Sequence, residues 1–72
     1  MNTNAILAQN AGGVIAISGV ADGVDVMIYN ISGQLTAQGK ASGNRVEIGT
    51  NLSSGDICII KIDNRSLKYI LR

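Results

Sequence analysis

The groups in this chain that could do chemistry are few. They are five carboxylates (Asp22, Asp25, Glu47, Asp56 and Asp63), one thiol (Cys58) and two phenols (Tyr29 and Tyr69). There is no histidine, so neither an imidazole general base nor a His-based triad exists within the chain. A single cysteine excludes an intramolecular disulfide and any Cys-rich zinc site. The carboxylates are scattered, with no spacing typical of a metal loop or a hydrolase pair. No phosphate-cradling glycine motif precedes a helix. Cys58 sits between Ile57 and Ile59 with nothing basic beside it, which predicts a buried packing thiol rather than a nucleophile. These residues point to no catalytic, cofactor-binding or metal-binding site.

The cations are distributed unevenly. Residues 1–39 hold two acidic side chains and no basic one, whereas residues 40–72 hold six basic and three acidic ones. Lys61, Arg65, Lys68 and Arg72 all fall near the C-terminus. Nucleic acid is a poor match, because the cations are few and no aromatic residues interleave with them. The remaining readings are solvated strand faces, or recognition of a protein or membrane-associated partner by the C-terminal edge.

The elements that must position these groups are strands. At 72 residues the chain is one small domain whose core is necessarily thin. Isoleucine supplies eleven of its apolar residues and valine five, with no Phe, Trp or Pro. Such a β-branched composition, with nine Gly and seven Asn, favours strands and tight turns. Turn pairs recur at Gly12-Gly13, Asp22-Gly23, Ser32-Gly33, Ser42-Gly43-Asn44, Ser54-Gly55 and Asp63-Asn64. The intervals predict seven strands near residues 5–9, 13–19, 24–30, 34–39, 44–48, 56–63 and 66–71, folded as an all-β, antiparallel two-sheet sandwich of immunoglobulin-like type.

Alternation predicts Val24, Val26 and Ile28 on one face of the third strand, and Val46 and Ile48 inward on the fifth. Cys58, Ile60 and Leu52 complete the expected core. Val14–Ile17 and Ile57–Ile60 are apolar on both faces, which makes each a central strand or one whose outer face meets a partner. In the last strand Leu67, Tyr69 and Leu71 share one face, and Lys68, Ile70 and Arg72 share the other. Asn64 is the residue expected to take positive φ in the final hairpin. Apolar C-terminal strands without a proline guard also predict self-association through sheet edges.

The stretch Val26-Met27-Ile28-Tyr29-Asn30-Ile31-Ser32-Gly33-Gln34-Leu35 resembles the "V-x-V-Y-N-x-x-G-Q-x-V" block of the C-terminal sorting domains of the type IX secretion system of Bacteroidetes. Asn51-Leu52-Ser53-Ser54-Gly55 follows in the order of that family's "N-L-x-x-G". Ile57 to Ile62 is similar to its "I-Y-I-V-K-V", and Lys68 to Arg72 to its terminal "K-x-x-V-K/R". The likeness spans about residues 14–72. Asp56 stands as an extra residue after Gly55, where a bulge is expected, and Cys58 stands where the family has tyrosine.

The resemblance implies a secretion signal and no enzyme. Such a domain follows an N-terminally fused cargo, reaches the periplasm in transit, and is recognised by the outer-membrane type IX translocon. A sortase-like peptidase then removes it at the cell surface, where the cargo stays or is secreted. By this likeness the chain is a single sorting domain over residues 1–72, excised from a larger secreted protein. The residues expected to be read by the translocon are Gly33, Gly55, Lys68, Tyr69, Ile70, Leu71 and Arg72. The alternative is an adhesive or spacing immunoglobulin-like module of a surface protein. Carbohydrate binding is weaker still, since two Tyr make few aromatic platforms.

Overall fold

In a computed structural model the described residues, 6–72, form seven strands and no helix. The strands are β1 (Leu7–Ala11), β2 (Val14–Ser18), β3 (Asp25–Asn30), β4 (Leu35–Lys40), β5 (Arg45–Gly49), β6 (Ile57–Ile62) and β7 (Arg65–Ile70). Ala5, where the first strand is expected to begin, lies outside the described residues. β1 instead runs on to Ala11, because Gly12 and Gly13 alone make the turn and place Ala11 opposite Val14. Both glycines take positive φ, as a two-residue hairpin that matches strand twist requires.

All strand pairs are antiparallel. One sheet has the order β1-β2-β5 and the other β4-β3-β6-β7. The crossings from β2 to β3, from β4 to β5 and from β5 to β6 move the chain between sheets, giving an immunoglobulin-like sandwich with the fourth strand beside the third. β2 and β6, apolar on both faces, are indeed central, and β7 lies at a sheet edge.

Period-2 alternation fills the space between the sheets. Ile15 and Ile17, Val26 and Ile28, Val46 and Ile48, and Cys58, Ile60 and Ile62 are buried from β2, β3, β5 and β6 respectively. Val20 and Ala41 close the cluster from the connections, and Leu71 from just beyond β7. Leu52, expected in the core, is only half-buried: it sits in the β5–β6 loop, at the margin of the cluster rather than between the sheets. No charged or polar side chain is buried among the described residues.

The sandwich closes on its β4–β5 side through Gly39. A Cβ there would stand 3.0 Å from Ile48 Cγ1 and 3.1 Å from Val46 Cγ2. The sheets approach so closely that only a hydrogen fits. The last turn corrects a second expectation. Asp63, with φ 55°, takes the left-handed conformation and Asn64 does not. Arg65 pairs with Ile62, so the loop has two residues and its first position carries the positive φ.

By register, the chain enters β1 at the end holding the 19–24, 41–44 and 63–64 connections. It leaves β7 at the opposite end, with the 12–13, 31–34 and 50–56 connections. Gly39→Val, which drives methyl groups into Val46 and Ile48, is expected to lower stability by about 1–3 kcal/mol. Urea denaturation of the two proteins, with unchanged slope and a lower midpoint, is the check.

Candidate functional site

The residues singled out by sequence gather at the exit end of the four-stranded sheet. Tyr29 lies beside Leu35 on one side and Ile59 on the other, Ile59 pairs with Lys68, and Ile57 pairs with Ile70. Gly33, Gly55 and residues 68–72, far apart in sequence, thereby share one end of one sheet.

Gly33 builds the β3–β4 hairpin. Its N–H donates to the Asn30 carbonyl at 2.9 Å, and the Asn30 N–H donates to the Gln34 carbonyl at 2.9 Å. Gly33 and Gln34 thus both oppose Asn30, a bulge whose first residue needs positive φ; Gly33 has φ 89°. Open space surrounds its Cα, so backbone conformation rather than crowding selects glycine. The Asn30 side chain locks the same turn, its Oδ1 accepting from the Ser32 N–H at 3.0 Å and the Gln34 N–H at 2.9 Å. Its Nδ2 donates to Gln34 Oε1 at 3.2 Å. The Tyr-Asn-x-x-Gly-Gln pattern is therefore the recipe of a self-capped hairpin.

Gly55 repeats the device. Its N–H donates to the Leu71 carbonyl at 2.8 Å, and the Leu71 N–H donates to the Asp56 carbonyl at 2.9 Å. Gly55, at φ 92°, and Asp56 both oppose Leu71, which is the bulge expected at Asp56. The Asp56 carboxylate accepts from the Ser53 N–H at 2.8 Å and tightens the turn.

The five C-terminal residues divide by face. Leu71 is 1% exposed and belongs to the core, while Tyr69 is half-buried on the inner face. Lys68, Ile70 and Arg72 are exposed. Among the described residues only Lys40–Asp25 and Arg45–Glu47 form ion pairs, so Lys68 and Arg72 present free cations.

Asn10 is the residue that sequence reasoning passed over. It points inward from β1 and bridges the two sheets. Its Oδ1 accepts from the Tyr69 hydroxyl at 2.7 Å and from the Arg72 N–H at 3.0 Å, and its Nδ2 donates to the Arg72 carbonyl at 3.0 Å. The side-chain amide does for Arg72 what a neighbouring strand would do. The available signal was position: alternation from Ala8 turns Asn10 toward the interior, where a polar group needs partners.

The remaining chemistry is muted. Burial pushes the Cys58 thiol up from its ordinary pKa, which keeps it protonated and unreactive. Tyr29 faces outward, its hydroxyl donating to Met27 Sδ at 3.3 Å. The described residues contain no group of three His, Cys, Asp or Glu placed to hold a metal ion. Set against protein-family models, curated proteins and solved structures, the chain matches none of them.

Asn10→Ala removes three hydrogen bonds at once and leaves the Tyr69 hydroxyl without its acceptor. We expect a loss of about 1–3 kcal/mol, with faster amide exchange at Arg72 before any change at Ile28 or Ile60. Cys58 should resist a thiol reagent in the native state and react in denaturant. Its raised folded-state pKa adds a pH dependence of known sign. The thiol leaves stability untouched below the unfolded-state pKa and erodes it as pH rises through that value toward the folded one, an alkaline loss that Cys58→Ala should abolish.

Proposed function

We propose that the chain is a C-terminal sorting domain that directs a fused cargo across the outer membrane through the type IX secretion system. It acts as a signal read by other proteins and performs no catalysis. What supports the reading is one observation: of the segments that carry the resemblance, Tyr29 to Leu35, Gly55 and Lys68 to Arg72 meet at one end of the four-stranded sheet, while Val26 and Ile62 pair toward its other end. On this reading their roles differ. Gly33 and Gly55 shape the end, Leu71 and Tyr69 anchor it, and Lys68, Ile70 and Arg72 supply the surface that the translocon meets.

The division of roles gives the test its controls. The chain is fused behind a reporter carrying a periplasmic signal peptide, in a host with the type IX machinery, and export to the surface or medium is measured. Lys68→Ala with Arg72→Ala, both exposed, should change stability by no more than about 0.5 kcal/mol. The pair should nevertheless leave the reporter in the periplasm. Leu71→Ala should cost about 2–5 kcal/mol by opening a cavity, and blocks export only through unfolding. Export of the intact fusion no greater than that of the reporter alone overturns the reading in favour of an adhesive or spacing module.

A further inference from the structure

The two outer faces of the sandwich are unalike. On the three-stranded sheet the outward positions are Leu7, Gln9 and Ala11 of β1, Val14, Ala16 and Ser18 of β2, and Arg45, Glu47 and Gly49 of β5. Exposed Leu7 and Val14 stand at opposite ends of the sheet, and Arg45 and Glu47 form one ion pair. That is the half-polar surface expected of an antiparallel sheet facing water. The four-stranded sheet turns Met27 and Tyr29 outward from β3, Leu35 from β4, Ile57 and Ile59 from β6, and Ile70 from β7. Its polar outward positions Asp25, Gln38, Lys40, Lys61 and Ser66 gather toward the entry end, so the apolar part occupies the exit half of the face. Leu35 is 51% exposed and Ile70 54%. Ile31, 71% exposed, extends the same apolar surface at the hairpin tip. Tyr29, Ile57 and Ile59 shield one another and are half-buried.

Charge narrows what could cover it. Asp25 and Lys40 on this face neutralise each other at 3.5 Å. Lys61 and Lys68 have no carboxylate partner among the described residues, and Lys68 stands in the same row as Leu35, Tyr29 and Ile59. A second copy would set these lysines against their own kind. A bilayer surface is also a weak match, because anionic lipid is held by clusters of about four to eight cations and this face offers two.

We infer that the outer face of the four-stranded sheet docks a protein partner presenting an apolar patch edged by carboxylates. With strands about 4.8 Å apart, four strands and three rows of side chains span roughly 15 Å by 15 Å. This is well below the roughly 800 Å² per partner of a standard stable interface, so the contact is transient and salt-sensitive. The face shares Lys68 and Ile70 with the surface assigned above to the translocon, but the inference stands on the sheet face alone, and its test involves no export.

The probes are two short amphipathic helical peptides with the same leucine stripe, one flanked by glutamates and one by lysines, titrated into the isotope-labelled chain. The glutamate peptide should shift resonances of Tyr29, Leu35, Ile59 and Ile70 and leave Ala16 and Glu47 unmoved. Lys68→Glu should weaken its binding about two- to fivefold and improve that of the lysine peptide. Ile70→Thr, on the outer face, should weaken both without disturbing core resonances. An unchanged spectrum at millimolar glutamate peptide overturns the inference, as do equal binding of both peptides or shifts centred on the three-stranded sheet. Two further results also overturn it. One is adsorption to phosphatidylglycerol vesicles without peptide binding. The other is the same shifts produced by raising the concentration of the chain alone.

Discussion

Everything in this molecule rests on packing two sheets together with short side chains, the one aromatic ring between them being that of Tyr69 at the margin of the core. Isoleucine and valine from β2, β3, β5 and β6 fill the interior, and each is short. A fully buried aliphatic side chain contributes roughly 1.5–3 kcal/mol, and only if no gap is left beside it. The sheets must therefore lie close. That closeness dictates Gly39 against Ile48 and Val46, and favours the small Ala37 and Ala41 on the same side. On the opposite side the constraint is met by polar means, through the Asn10 amide holding Tyr69 and Arg72.

The second dependence is on where backbone groups go at the ends of the sheets. Gly33–Gln34 opposite Asn30 and Gly55–Asp56 opposite Leu71 use the same two-for-one bonding, and Gly23–Val24 opposite Ala41 follows it too. Each keeps the ladder bonded through a turn, with both the amide and the carbonyl of the opposing residue paired. Two of the three lie at the exit end. The local order there comes from hydrogen bonds within the loops themselves, which leaves Lys68, Ile70 and Arg72 uncommitted on a rigid support.

Most of this architecture was legible in the sequence because its determinants are local. Period-2 alternation exposed the inner faces of β3 and β5, and Gly-containing pairs marked the turns, so all seven strands stand within about two residues of their expected places. What was not legible depends on distant partners. Asn10 finds Tyr69 at a separation of 59 residues and Arg72 at 62, and nothing near Asn10 in the chain announces either. Gly39 read only as the last residue of the fourth strand, because the side chains that exclude a Cβ there belong to another sheet. Leu52 looked like core by hydrophobicity alone, whereas burial is decided by position between the sheets. The terminal run Lys68 to Arg72 looked like one recognition element, yet Leu71 is interior and Tyr69 is tied to Asn10.

The opposed ends of the chain have a mechanical consequence. Tension applied ahead of Leu7 and beyond Arg72 runs along β1 and β7 rather than across them. The hydrogen bonds of β1 to β2 and of β7 to β6 are then loaded together in shear, and none can be peeled open singly. The Asn10 amide ties the far end of β1 to the very residue through which the load leaves, so the two outer strands resist as one body. A thread drawn through this domain would meet its strongest resistance before the first strand slipped, and almost none afterwards.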